Sequence, residues 1–116
     1  MMSKPQPGEI WLVRFPFSDL TSAKLRPALI LAVHREEVII LGIFSKIPAG
    51  VLHNSWVLIQ DSDAQFLQTG LKKTSLIRAD KIATVSISVF KRKLGYLSID
   101  LLVKVQKALK NVLNLA

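Results

Sequence analysis

The chain has no cysteine among its 116 residues, which excludes disulfides, thiolate nucleophiles and thiolate metal sites together and fits a reducing compartment. Histidine is scarce as well. Only His34 and His53 offer an imidazole, and no carboxylate pair stands at ligand spacing to either, so metal catalysis has little to build on. Glu36 and Glu37 are adjacent, and neighbouring side chains on a strand point to opposite faces. There is no Gly-rich phosphate loop and no nucleophile-elbow motif, which argues against nucleotide hydrolysis and against a Ser–His–Asp triad. No apolar run reaches the roughly 18 to 20 residues of a membrane span, and the N-terminal stretch through Gly8 lacks an apolar signal region. The expectation is a soluble cytoplasmic protein with no cofactor and no membrane partner.

Acids are also few: 8 Asp and Glu face 16 Lys and Arg, for a net charge of +8. That imbalance predicts attraction to polyanions, of which nucleic acid is the commonest in a cytoplasm. A basic surface equally suits an acidic protein segment. The length fits one domain over residues 1–116 rather than two, and with half the residues apolar a packed core is available to it.

Glu9 to Phe15, dense in β-formers, reads as a first strand that Pro16 ends. The polar stretch 16–25 is a loop, and Arg26-Pro27-Ala28-Leu29-Ile30-Leu31-Ala32-Val33 a second strand, with Pro27 suited to its first position. The turn at 34–37 leads to a third strand, Val38 to Phe44, so the two form a central hairpin. A loop over 45–54 and a fourth strand, Ser55 to Ile59, follow. Asp61 to Leu67 has acids in its first turn and predicts one or two helical turns before Thr69-Gly70. Ser75 to Arg78 and Lys81 to Ile87 read as two short strands around Ala79-Asp80, and Lys91-Arg92-Lys93 as a solvated edge or turn. Ser98 is a good N-cap for a helix running to about Leu113. Many short strands with one late helix predict a mainly β chain built as a small barrel. The helix is apolar over a wide arc, Leu101, Leu102, Val105, Leu109 and Val112 included, which predicts that part of it reaches another subunit or a capping element.

Arg26 is the position that invites chemistry. A guanidinium is charged at any accessible pH and its rigid fork suits phosphate oxygens, so one at a strand entrance beside a loop is an anion clamp. A nuclease acting on RNA needs neither metal nor protein nucleophile, because the substrate's 2′-hydroxyl attacks the phosphate. What remains is a cation for the charge building on phosphorus and groups that handle two protons. Arg26 supplies the first, with Ser45, Lys46 and Thr21 in the bordering loops. His53 has a suitable intrinsic pKa, and Phe17, in a loop, suits base stacking better than Trp11 or Trp56, which fall within strands and read as core. Each has a plain alternative: Arg26 ends a strand, Ser45 starts a turn, Lys46 solvates it, Thr21 caps loop backbone and His53 is a bystander.

Five segments in order, GEIWLVRFPFSDL (8–20), KLRPALIL (24–31), GLKKTS (70–75), IRADKI (77–82) and KLGYLS (93–98), resemble the PemK/MazF-like toxins over nearly the whole chain. The resemblance implies an SH3-like small barrel with a C-terminal helix, paired as a homodimer. It also implies a metal-independent endoribonuclease that cuts single-stranded RNA at short sequences and is held in check by an acidic antitoxin protein. The family's catalytic Arg maps onto Arg26. Its second catalytic residue, a Thr or Ser ending the third strand, maps without a gap onto Phe44, with the hydroxyl of Ser45 one residue later. Phe17, Thr21, Lys24, Lys46, His53 and Arg78 are the expected RNA-binding residues beside catalytic Arg26 and Ser45. Two other readings stay open: a module of the same fold that binds RNA or an antitoxin without cutting, and a poison of a protein target such as DNA gyrase, as in the related CcdB branch.

Overall fold

In the computed structural model, which describes residues 4–14 and 24–115, the β-rich N-terminal segments pair as their patterning demands. Strands β1 (Glu9–Arg14), β2 (Leu25–His34) and β3 (Glu37–Phe44) are followed by β4 (Trp56–Ile59), β5 (Ser75–Ser86) and β6 (Phe90–Tyr96), and the helix α1 (Ile99–Leu113) comes last. The six strands form an antiparallel sheet in the order β4-β5-β3-β2-β1-β6. The expected central hairpin is present, with Leu29 opposite Leu41 and Ile30 opposite Ile40. The expected mainly β fold with one late helix is present, with β4 and β6 as edges, so that the sheet of the described residues is not closed.

Both faces of the sheet carry apolar clusters. On one, Ile10, Leu29, Leu41, Ile43, Ile59 and Ile77 meet Leu101, Val105 and Ala108 of α1. On the other, Trp11, Ile30, Ile40 and Phe90 pack together, the Trp11 and Phe90 rings edge to face at 5.9 Å. This double burial explains why β3 is apolar at nearly every position. Glu9 fastens β1 to β6: it accepts from Trp11 Nε1 at 2.9 Å and pairs with Lys93 Nζ at 2.8 Å. Burial raises its pKa, but the bonds from Lys93, Trp11 and the Gln6 amide outweigh that and hold it below its ordinary value.

Several local expectations are corrected. Pro27 is the third residue of β2, although the ladder to β3 begins one residue later, at Ala28 opposite Gly42. Asp61 to Leu67 forms turns, and the helical piece is a single 3-10 turn at Leu67–Thr69. The cause is local: Asp63 takes the Gln65 amide on its own carboxylate at 2.8 Å, an alternative to helical bonding. The two short strands around Ala79-Asp80 are one strand, β5, whose register against β3 jumps from Gly42 opposite Arg78 to Leu41 opposite Ile82. Residues 79–81 bulge from the ladder there. Lys91-Arg92-Lys93 is an edge as expected, but within a full strand, β6.

Ser98 caps α1, its Oγ accepting from the Leu101 amide at 3.3 Å. Leu101, Val105 and Ala108 are the buried line of that helix, while Ile99, Val103 and Leu113 stay exposed. No helix among the described residues is long and apolar enough to cross a membrane.

Candidate functional site

The start of β2 brings Arg26 to the shared wall of two clefts. The first, about 570 Å³, is lined by Arg26, Ser45, Lys72, Lys73, Ser75 and Arg92 over an apolar floor that includes Pro27, Ile43 and Leu94. Among the described residues, four that line it are cations and none is a carboxylate. The second, about 420 Å³, has Arg26, Lys46 and Arg78 around Phe44, Trp56 and Leu76. Arg26 is half-buried, and no carboxylate among the described residues pairs with it. Its guanidinium carbon lies 5.6 Å from the Phe44 ring centroid, within cation–π range.

Strand alternation divides Phe44 from Ser45. Phe44 is the last residue of β3 and faces the second cleft, whereas Ser45, just past the strand and exposed, lines the first with Arg26. The ungapped correspondence that put Phe44 at a hydroxyl position therefore places a ring against Arg26 on one side and leaves the nearby hydroxyl on the other.

Arg78 is built differently from Arg26. It stands opposite Trp56 in the β4–β5 ladder, and its guanidinium carbon is 4.8 Å from the Trp56 ring and 5.9 Å from that of Phe44. Asp80, turned by the β5 bulge, accepts from Arg78 Nε at 3.1 Å and Nη2 at 2.6 Å, and from Trp56 Nε1 at 3.1 Å. The paired Arg78 hydrogen bonds outweigh burial and hold the Asp80 carboxyl below its ordinary pKa, with a smaller contribution from Trp56. Bulges of this kind re-aim side chains beside functional sites.

Of the expected residues, the structure gathers Arg26, Ser45, Lys46 and Arg78 around the two clefts. His53 lines neither; its ring packs against Trp56, centroids 4.7 Å apart. Lys24 is exposed and also lines neither. Phe17 and Thr21 lie outside the described residues. Trp56 is not core, as its strand position suggested, but half-buried in the wall of the second cleft. Sequence reasoning did not single out Lys72, Lys73 and Arg92 as site residues, nor Asp80. The two lysines precede a strand and Arg92 belongs to a basic run, so each looked like an ordinary solvated cation. Among the described residues no three His, Asp or Glu side chains gather where they could hold one ion.

The family model described as "PemK-like, MazF-like toxin of type II toxin-antitoxin system" matches residues 6–113. Among curated proteins, none matches the sequence. Solved structures share the fold. An endoribonuclease from a mycobacterial species, in complex with its cognate antitoxin, superposes with a TM-score of 0.74 at 20% identity, over 97% of this chain and 97% of that one. The Mycobacterium tuberculosis toxin MazF-mt6 gives 0.73 at 20% identity, over 93% and 98%. MazF from Deinococcus radiodurans gives 0.72 at 20% identity, over 97% and 99%.

Proposed function

We propose, for a chain that belongs to the PemK-like, MazF-like toxin family of type II toxin–antitoxin systems, that it is a metal-independent endoribonuclease cutting single-stranded RNA in the first cleft. The observation that carries this reading is Arg26: a half-buried guanidinium that, among the described residues, pairs with no carboxylate and stands in the wall of a cleft whose other charged lining residues are all cations. In the reaction the 2′-hydroxyl attacks the adjacent phosphorus and the P–O5′ bond breaks. A 2′,3′-cyclic phosphate remains on one product and a 5′-hydroxyl on the other. Arg26 binds the non-bridging oxygens, and its hold strengthens as negative charge grows on them. Ser45 hydrogen-bonds the phosphate or assists proton transfer. Lys72, Lys73 and Arg92 hold the flanking backbone as point charges and forks.

The protein works in the cytoplasm as a homodimer, and an acidic antitoxin neutralises it by covering the cationic clefts. Solved structures of the fold include one with its cognate antitoxin. The second reading, a module that binds without cutting, draws on Phe44, whose ring meets Arg26 in place of a hydroxyl. The two separate in one experiment: end-labelled, mixed-sequence RNA is incubated with the protein in excess chelator, beside strands carrying single 2′-deoxy substitutions. Cutting is expected, with cyclic phosphate ends, and is lost when the deoxy sugar stands at the cut site. Salt-sensitive binding without cutting would establish the module instead, and equal cutting of deoxy strands would remove the 2′-hydroxyl from the mechanism.

A further inference from the structure

We infer that the second cleft is a pocket for one unpaired nucleobase of the RNA strand whose phosphate Arg26 holds, with the Arg78–Trp56 pair as its stacking wall and Asp80 as the residue that positions that wall. This rests on the RNA reading above and adds to it a recognition site with named parts.

The pocket differs from the first cleft in its rings: beside three cations, Arg26, Lys46 and Arg78, its described lining residues include Phe44, Trp56 and Leu76, whereas those of the first cleft present four cations and two hydroxyls with no aromatic side chain. An indole and a guanidinium are both flat, and nucleobases stack on either. A guanidinium on a flexible side chain would normally lose rotamer freedom on providing such a surface. Here that ordering is already done. Asp80 receives two hydrogen bonds from the Arg78 fork and a third from the Trp56 indole N–H, so cation and ring are fixed to one carboxylate before any ligand arrives. The same pairing sets a carboxylate against the Arg78 charge. Arg78 then offers a planar surface to a base in addition to its charge.

Arg26 lines both clefts, so a phosphate on its fork lies between them, and a nucleotide spans a phosphate and a base. A strand bound through Arg26 can place a neighbouring base over Arg78 only if that base is unstacked, which selects single strands over duplexes. Asp80 touches no substrate atom in this arrangement. It acts through Arg78 and Trp56.

The test uses a mixed-sequence 2′-O-methyl RNA hexamer, which cannot be cut because its nucleophile is blocked, and an abasic strand of equal charge. Binding is followed by anisotropy of a labelled strand and by tryptophan fluorescence. Trp11 is 2% exposed and Trp56 half-buried at the cleft, so quenching by a bound base reports on Trp56. The expected result is saturable quenching by the hexamer, and binding of the abasic strand about tenfold weaker with no quench. Trp56→Phe abolishes the quench. Asp80→Asn brings hexamer affinity down toward that of the abasic strand while leaving the abasic strand's own affinity in place, a change in discrimination that general loss of structure does not mimic. Equal affinity for both strands, or hexamer binding without a quench, would overturn the pocket and leave a surface that reads charge alone, as an acidic protein segment would also do. Binding of neither strand would overturn the RNA reading with it. Should either variant fail to fold by circular dichroism, the wild-type comparison of the two strands still decides.

Discussion

Phe44 and Ser45 show how much turns on one step along a strand. Ser45 is an exposed hydroxyl that shares the first cleft with Arg26, and Phe44 faces away from it into the second. Ser45→Ala is therefore expected to slow RNA cutting roughly 100-fold, the usual effect of removing one placed hydrogen-bonding group, with RNA affinity little changed. An unchanged rate constant in single-turnover cleavage would take Ser45 out of the site. Asp80 carries a prediction in pH. Its folded pKa is depressed below the ordinary 3.8, so the clasp on Arg78 contributes fully above that value and is lost as pH falls through the lower folded one. Melting temperatures of wild type and Asp80→Asn should differ by a constant amount above about pH 5 and draw together only as pH falls below 3.8 and through the lower folded value. The difference will be small, since the side chains of Arg78 and Asp80 are 29% and 34% exposed.

At the scale of elements, the 3-10 turn at Leu67–Thr69 lies close against β6 because two glycines, Gly70 and Gly95, each face backbone of the opposite segment. A Cβ on Gly95 would overlap the Gln68 carbonyl oxygen and crowd Thr69, and one on Gly70, which has φ 72°, would overlap the Leu94 carbonyl. Neither clash is with a flexible side chain that could swing aside. Gly95→Ala is expected to cost about 2 kcal/mol or more in chemical denaturation. Gly50→Ala, at φ 97° with nothing within 4 Å, should cost only the roughly 1 kcal/mol of left-handed backbone strain. Equal losses in the two variants would mean that this contact does not hold the turn in place. Strands β1 to β4 were legible because runs of β-formers between turn residues have few other ways to fold. β5 was not legible as one strand, because Ala79-Asp80-Lys81 interrupts its pattern and only pairing with β3 shows that the chain continues beyond a bulge. β6 was hidden by Lys91-Arg92-Lys93, whose consecutive cations suit an edge strand but erase the alternation by which strands are recognised.

For the whole molecule, composition announced the class of partner and said nothing of where it binds. The net charge of +8 is a property of the chain, while the first cleft draws its cations from positions 26, 72, 73 and 92, which only the sheet order brings together. Arg26 was legible as a candidate because an Arg-Pro at a strand entrance is a local feature. The roles of Trp56 and Asp80 were not, since they depend on a cross-strand pair and a bulge. In the function proposed above, a placed charge and not the overall positive charge drives RNA cutting. Single-turnover cleavage of single-stranded RNA in excess chelator tests it most directly, comparing Arg26→Ala with Lys110→Ala, which removes the same unit of charge from an exposed site on α1 outside both clefts. The prediction is a loss of at least roughly 100-fold for Arg26→Ala and a rate within about threefold of wild type for Lys110→Ala, as for a distant exposed charge. Equal rates for the two variants would show that overall charge suffices and that Arg26 has no special place in the reaction.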